Sequence, residues 1–439
     1  LEAEREALKR EAVAYTLQSF LKSIEESKRA AFIPTGFSPL DNVLDGGLYA
    51  GLYVVGAISS LGKTTFCLQI ADQIAAAGHD VLVFSLEMAR NELIAKSISR
   101  LTLVKDLEEN ESTAHAKTTR GILTGTRYAD YSQTERELIQ QSIASYGEYA
   151  RNIYITEGVG NVGIEEIREK VQKHIKITGK APVVVIDYLQ IIAPADMRAT
   201  DKQNTDKAVL ELKRLSRDYS IPVIGISSFN RDNYTAPVNL ASFKESGAIE
   251  YSSDVLIGLQ YEGMDYQEGE ADKAREKRIR ELMKQVVEDG KAGKAQSIQV
   301  KILKNRNGSK GDALLDFYPM FNYFTAQKHK TGDGSSGGWS RTESGYSSSA
   351  KPKKSKREAE REKLAMAFYS VQRDDFTADL TALADALDKS KKQVQNLIAE
   401  YGGFTVIGDT VGLDHSKDTA ASPAFTELED GEQEELPFN

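Results

Sequence analysis

The chain has 439 residues, room for two or three domains, and its 40% apolar content belongs to a folded protein rather than a disordered one. A formal charge of −9 excludes nucleic-acid attraction as a bulk property, so any such binding has to come from a local basic surface. A single cysteine, Cys67, excludes an internal disulfide and fits a reducing cytoplasm, and neither a run of ~18 apolar residues nor an uncharged N-terminal leader offers a membrane span or a secretory signal. The first residue is Leu rather than Met, which points to a fragment of a longer protein.

In chain order, residues 1–29 read as one charged helix with Val13, Leu17, Phe20, Leu21 and Ile24 on a single side, a stripe that asks for a partner. From residue 30 to 326 short β-branched runs alternate with helical stretches: LYVVGA (52–57), VLVFS (81–85), NIYIT (152–156), PVVVID (182–187), IPVIGIS (221–227) and DVLIGLQ (254–260). That alternation predicts an α/β domain with a mainly parallel central sheet and helices on both faces. SIQVKILKNRNGSKGDALLDFY (297–318) differs, because two alternating runs flank Asn307-Gly308 and predict a hairpin turning there. Residues 327–358 are rich in Gly, Ser and Lys and read as a flexible linker. Residues 359–413 regain structure as a helix, TADLTALADAL, a turn at Asp388–Ser390, KKQVQNLIAEYGG and a small hairpin, the pattern of a winged helix-turn-helix-like α+β domain with Lys391 and Lys392 leading the recognition helix. The acidic tail 414–439 reads as disordered and solubilising.

Chemistry concentrates in GAISSLGKTT (56–65). It misses the pattern G-x-x-x-x-G-K-[ST] by one place, because Ala57 stands where the first glycine is expected. Strand, loop and helix nevertheless occur in the order a phosphate cradle requires, with backbone N–H groups and a helix N-terminus converging on the polyphosphate. The loop's candidates for nucleotide contact are Ala57, Ser59, Ser60, Leu61, Gly62, Lys63, Thr64 and Thr65. Asp187 ends an apolar strand, where an open parallel sheet places its ligands, and a carboxylate there can hold the magnesium that accompanies a triphosphate. Glu87 follows the next strand at the same sheet edge, positioned to orient and deprotonate an attacking water. Taken singly, each has a plain structural reading: a strained βα turn, a helix cap, a glutamate at a helix start. Cys67, inside the first helix of this unit, reads as a buried, inert thiol.

TGFSPLDNVLDGGL (35–48), GAISSLGKTTF, FSLEM, IDYLQ, SSFNR (227–231), ESGAIEYSSDV (245–255) and KNRNG (304–308) come in the order and spacing of the DnaB-type hexameric replicative helicases, which residues 30–326 resemble. That family commonly carries alanine at the loop's first position. The resemblance implies a RecA-like P-loop NTPase core that binds ATP and Mg2+, with Lys63 and Thr64 on phosphate and magnesium, Asp187 supporting the metal and Glu87 polarising water. It implies that Lys304 and Arg306 reach into the neighbouring subunit's nucleotide within a homohexamer. Loops 193–206 and 231–247 match the family's channel-lining loops, so Lys244, Glu245 and Gly247 are implied DNA-backbone contacts, with Lys202 and Arg231 as further candidates. Ser228 stands where the family usually has glutamine, a shorter side chain toward the γ-phosphate. Segment 262–295 is longer and more charged than usual and reads as a solvent-facing helical insertion.

The resemblance further implies single-stranded and forked DNA as partners, a primase or helicase loader, a cytoplasmic location and a phage, plasmid or mobile-element origin. Residues 1–29 would then be the linker helix that docks on the adjacent subunit. A RecA-like DNA-dependent ATPase acting in recombination or assembly without unwinding is the alternative; a degenerate ATPase serving as a DNA adaptor is a third reading.

Overall fold

The computed structural model describes Arg5, residues 32–158, 162–194, 196–229, 235–243 and 247–327, and most of 363–413. The linker helix expected at 1–29, the linker and the tail lie outside the described residues, Arg5 apart. The chain divides into two compact units, Leu1–Trp339 and Ser340–Asn439.

The larger unit is built on a nine-stranded sheet. Its strands are β1 (Gly51–Ala57), β2 (Val81–Ser85), β3 (Ile153–Glu157), β4 (Val183–Asp187), β5 (Pro222–Ser228), β6 (Val255–Tyr261), β7 (Gln296–Asn305), β8 (Asp312–Tyr318) and β9 (Tyr323–Ala326), in the order β3-β2-β4-β5-β1-β6-β7-β8-β9. The first six are parallel and the last three antiparallel. Continuous apolar runs signal strands covered on both faces, and every residue of β1, β2, β4 and β6 is buried.

The helices are α1 (Ser38–Val43), α2 (Lys63–Ala76), α3 (Arg90–Asn110), α4 (Thr119–Leu123), α5 (Gly125–Asp130), α6 (Gln133–Ala150), α7 (Ile164–Thr178), α8 (Asp201–Asp218), α9 (Gly247–Ser252) and α10 (Asp272–Lys291). Right-handed crossovers put α2 and α3–α6, which lead from β1 to β2 and from β2 to β3, on one face, and α7, α8 and α9, which lead back toward β6, on the other. Crossovers therefore diverge around β1, β4 and β5, and a crevice opens beyond the carboxyl ends of those strands, the place where such sheets bind ligands. Packing agrees: α2 meets α3 and α6, whereas α8 meets α7 and α9. Sandwiched between sheet and helices, α2 is buried almost all round, Cys67 included; burial pushes that thiol's pKa well up, as an inert core residue requires.

The antiparallel extension turns back onto α2. Gln69 exchanges two hydrogen bonds of 2.8 Å with the Phe324 backbone, so β9 is stitched to the helix that follows the phosphate loop. The hairpin of β7 and β8 departs from the two-residue Asn-Gly turn that the sequence predicts. Strand pairing ends at Lys301 and Asp312, followed by one further bond from Ile302 N–H to the Gly311 carbonyl, and the connection is wide. Asn305 holds it open: its carboxamide oxygen accepts from the Tyr49 hydroxyl at 2.8 Å and from Asn307 N–H at 3.3 Å, and its nitrogen donates to the Ser309 carbonyl at 3.2 Å. The 262–295 segment is helical as predicted; α10 seats Ile279, Leu282, Met283 and Val286 against the core and turns its charges outward.

The smaller unit carries β10 (Ala378–Asp379), α11 (Leu380–Ala386), α12 (Lys391–Tyr401), β11 (Phe404–Ile407) and β12 (Thr410–Leu413), with the strands ordered β10-β12-β11. Its own core gathers Leu364, Phe368, Leu380, Leu383, Val394, Ile398 and Val411. Asp379 caps α11 through Thr381 N–H at 2.8 Å, and Asp388, at φ +51°, reverses the chain between the helices. Two helices, a tight turn and a hairpin follow one another as the sequence predicts, with the short strand β10 added to the hairpin; the helix expected at the head of this unit, to about residue 372, lies largely outside the described residues.

Candidate active site

The loop between β1 and α2 closes through left-handed backbone at Ser60 (φ +66°) and Gly62 (φ +91°). Glycine is favoured at 62 for two reasons: its φ is one that side-chain-bearing residues rarely adopt, and a Cβ there would lie 2.8 Å from the buried Phe317 ring. No side chain caps the helix start at Gly62, so the first N–H groups of α2 face the crevice, where a polyphosphate finds donors and the positive end of a helix.

Around that loop lies a cleft of about 460 Å³, lined on one side by Ser59, Ser60, Gly62, Lys63, Thr64 and Thr65, and on the other by Glu87, Asp187, Tyr188 and Ser228. The register Ser85↔Asp187 between β2 and β4 sets the two acidic positions at one edge. Leu86 N–H donates to the Asp187 carbonyl at 2.8 Å, which ties the turn bearing Glu87 to the end of β4. Thr64 Oγ1 donates to Asp187 Oδ2 at 2.8 Å, and Lys63 Nζ donates to the carbonyls of Ala57 and Ile58 at 3.0 and 3.2 Å. Burial pushes the Asp187 carboxyl up to about 6 against the opposing Thr64 hydrogen bond, and burial lowers the Lys63 pKa while Asp187 and Glu87 pull it back. The Asp187–Tyr188 peptide is cis.

Two of the predicted loop contacts can be made only through the backbone. Ala57 and Leu61 do not line the cleft; both side chains are packed in the core, and Ala57 contributes only its carbonyl, to Lys63. Ser228 does line it, half-buried at the end of β5.

The far wall went unread in the sequence. Lys96 from α3 points into the cleft and donates to Asn322 Oδ1 at 3.0 Å, and burial lowers its pKa while Asp187 draws it back up. Asn322, at φ +55° between β8 and β9, also takes Thr65 Oγ1 at 3.4 Å and gives its amide to Thr119 Oγ1 at 2.8 Å. Phe317 and Pro319 complete that wall. The one sequence signal for Lys96 was a cation set within the stripe of Leu93 and Arg100, which α3 buries.

Lys304 and Arg306 do not line this cleft. Lys304 Nζ donates to the carbonyls of Glu250 (2.6 Å) and Tyr251 (3.1 Å), and Arg306 Nη2 donates to that of Tyr251 at 2.5 Å, so both cations cap the carboxyl end of α9. Backbone bonds from Arg306 to Asp254 and from Asp254 to Leu52 place them at the level where β1 begins. The phosphate loop leaves from the other end of β1, five residue steps or ~16 Å of strand backbone from Leu52 to Ala57.

Of the predicted DNA contacts, Lys202 is exposed in the first turn of α8 and Gly247 starts α9, whereas Arg231, Lys244 and Glu245 lie outside the described residues. On α12, Lys392 is exposed and Lys391 pairs with Asp409 across 3.2 Å.

Residues 32–326 match the family model described as the DnaB-like helicase C terminal domain. The chain belongs to that family. Among its relatives, Replicative DNA helicase DnaB of Helicobacter pylori is 28% identical over 331 residues, spanning 70% of this chain and 63% of the relative. Replicative DNA helicase DnaC of Bacillus subtilis is 27% identical over 306 residues, spanning 69% and 58%. The chain thus covers less than two thirds of the length of these curated relatives. A solved DnaB-like replicative helicase, described with its interactions with primase, shares the fold at TM-score 0.55 and 22% identity over 71% of this chain and 67% of its own. A solved ATPase domain matches at TM-score 0.56 and 22% identity over 72% and 99%. The α/β core with its mainly parallel sheet is therefore that of the DnaB-like ATPases. Among the described residues no helix is long and apolar enough to cross a membrane, and no cluster of three metal-binding side chains occurs.

Proposed function

We propose that the chain is an ATP-driven helicase motor of the DnaB type, which assembles as a homohexameric ring, moves along single-stranded DNA and unwinds forked duplex. The separation of Lys304 and Arg306 from the chain's own cleft carries this reading. A cradle with a phosphate loop, a metal-suited pair and a water-orienting carboxylate faces one way, and two cations that suit such chemistry sit a strand's length away, an arrangement that supports their serving another protomer's nucleotide.

Thr64 Oγ1 and Asp187 fit magnesium: a hydroxyl and a buried carboxylate 2.8 Å apart are hard oxygen donors, and one carboxylate suffices where phosphates and water complete the shell. When bound, magnesium neutralises phosphate charge. Lys63 and Lys96 face the polyphosphate from opposite walls. Glu87, exposed at the mouth, accepts a proton from the water as its oxygen bonds to the γ-phosphorus and the bridge to the β-phosphate breaks, releasing ADP. Lys304 and Arg306 of the adjacent protomer meet the charge that develops, a contribution on the order of 10³ in rate for this kind of device. Cations along loops 193–206 and 231–247 track the strand's backbone, so binding is salt-dependent and weak in sequence preference. A primase or loader and the winged helix-turn-helix-like unit, with Lys391 and Lys392, belong to the same proposal as fork-level contacts.

The test is unwinding of a forked duplex with ATP and magnesium by the native chain, Lys63→Ala and Arg306→Ala, with ring size followed by light scattering. Loss of unwinding in both variants with hexamers retained is the expected result. DNA-stimulated hydrolysis by the native chain without unwinding would instead establish the RecA-like alternative.

A further inference from the structure

The cations of the hairpin do not stand alone at the lower edge of the sheet. Asp254, 5% exposed, immediately precedes β6 and accepts three hydrogen bonds: from Leu52 N–H at 2.7 Å and, on both carboxylate oxygens, from Lys213 Nζ at 2.6 Å. Its carbonyl takes Arg306 N–H at 2.9 Å, and Arg306 Nε lies 4.0 Å from Oδ1. One buried carboxylate therefore joins the start of β1, the middle of α8 and the base of the loop that presents Arg306. It is partnered on every side, so its neighbours hold it in a single place.

Lys213 belongs to α8, whose first turn carries Lys202 and falls within the candidate channel loop 193–206. From Lys202 to Lys213 the helix spans ~16 Å at 1.5 Å per residue, a rigid rod between a candidate strand-contacting loop and the carboxylate under Arg306. A second tie runs through α9: Ala248 N–H donates to Asp206 Oδ1 on α8 at 3.3 Å, and the far end of α9 is where Lys304 and Arg306 rest. The two loop-bearing helices thus both reach the hairpin cations, α8 through Lys213 and Asp254 and α9 through its last carbonyls.

We propose that Asp254 and Lys213 are positioning residues for Arg306 and Lys304: the pair sets where the two cations stand and makes that position follow α8, so strand contact at the head of α8 alters hydrolysis in the neighbouring protomer. The proposal rests on the reading that these cations act in trans. An anion buried at the hairpin's base and shared with α8 has no role in holding the chain's own nucleotide, which lies at the other end of the sheet. Its effect has to pass through the hairpin.

The experiment compares Lys213→Met, Lys213→Arg, Asp254→Asn and Arg306→Ala in the full chain. The readouts are kcat and KM for ATP with and without single-stranded DNA, followed by mixing with Lys63→Ala protomers. Lys213→Met is expected to lower the DNA-stimulated kcat about tenfold with KM for ATP held within about twofold, since a displacement of this kind acts on transition-state contacts rather than ground-state binding. Lys213→Arg restores the rate, and Asp254→Asn reproduces the loss while still accepting the Leu52 N–H.

Mixing decides between positioning and damage. Lys63→Ala protomers carry intact cations and a dead cradle, so they revive the cradles of Lys213→Met protomers only if the defect sits on the cation side. A kcat unchanged in Lys213→Met and Asp254→Asn while Arg306→Ala abolishes hydrolysis overturns the proposal and leaves the trans reading standing. So does failure of mixing to revive Lys213→Met. An unchanged rate in Arg306→Ala overturns the trans reading first, and the proposal with it.

Discussion

Replacing Gly62 by alanine tests the geometry of the phosphate loop in two separable parts. Left-handed backbone at φ +91° costs an L-residue ~1–2 kcal/mol. The added Cβ then meets the Phe317 ring at 2.8 Å, and that ring cannot yield because it is buried and stacked on Phe324 with centroids 4.1 Å apart, which adds ~1–3 kcal/mol of overpacking. Together these make ~2–5 kcal/mol, or a fall of ~4–10 °C in Tm at ~2 °C per kcal/mol for a domain of this size. Because the strain sits in the loop, release moves the loop, and binding of a fluorescent ATP analogue weakens in parallel. A double-mutant cycle with Phe317→Leu, read by denaturant midpoint, isolates the contact: the pair should cost ~1–3 kcal/mol less than the sum of the singles, leaving the backbone share behind. A Gly62→Ala protein that melts within about 1 °C of the native chain and binds the analogue unchanged would refute the reasoning.

Other outcomes follow from the walls of the site and from one half-buried ion pair. Lys96→Met is expected to reduce hydrolysis ~10²-fold, with Lys96→Arg largely active, because a cation facing the polyphosphate is worth a few kcal/mol in a sheltered cleft; steady-state phosphate release measures it. In Glu135, which accepts from Lys117 at 2.5 Å, the carboxyl is pushed down to about 2, first by that hydrogen bond and then by Ser132. A depressed carboxylate stabilises the fold above its unfolded pKa and loses that effect as pH falls from about 4.5 toward 2, so the native chain should exceed Glu135→Gln by about 1 kcal/mol at neutral pH and converge with it on acidification. Thermal melts across that range would show a constant gap if the pair contributes nothing.

The cradle was legible because its parts are local: a β-branched run, a glycine before Lys63 and a helix after it announce themselves within fourteen residues. Asp187 and Glu87 were legible because strand ends can be read from where apolar runs stop, and the register of β2 on β4 brings those ends together. Lys96, Asn322 and Phe317 were not, since they arrive from α3 and from the antiparallel extension, and nothing local in those segments says that β9 returns to α2. The Asn-Gly hairpin was misread for a related reason. Turn chemistry at 307–308 favours a tight reversal, but Asn305 finds a partner in Tyr49, 256 positions earlier in the chain, and that contact widens the loop. The two helices and the hairpin of the smaller unit were legible because the reversal at Asp388 and the hairpin are each written in adjacent residues, whereas β10, two residues long, left no pattern to read.

The hairpin of β7 and β8 is committed at both ends. Its loop end presents Arg306, its open end carries Phe317 into the cleft wall, and six registered pairs connect the two. Inserting one residue into either strand would turn every following side chain to the opposite face. The extra residue that β7 does carry, Leu303, lies outside those six pairs on the side toward β6, and the long connection between β6 and β7 houses α10 without interrupting them.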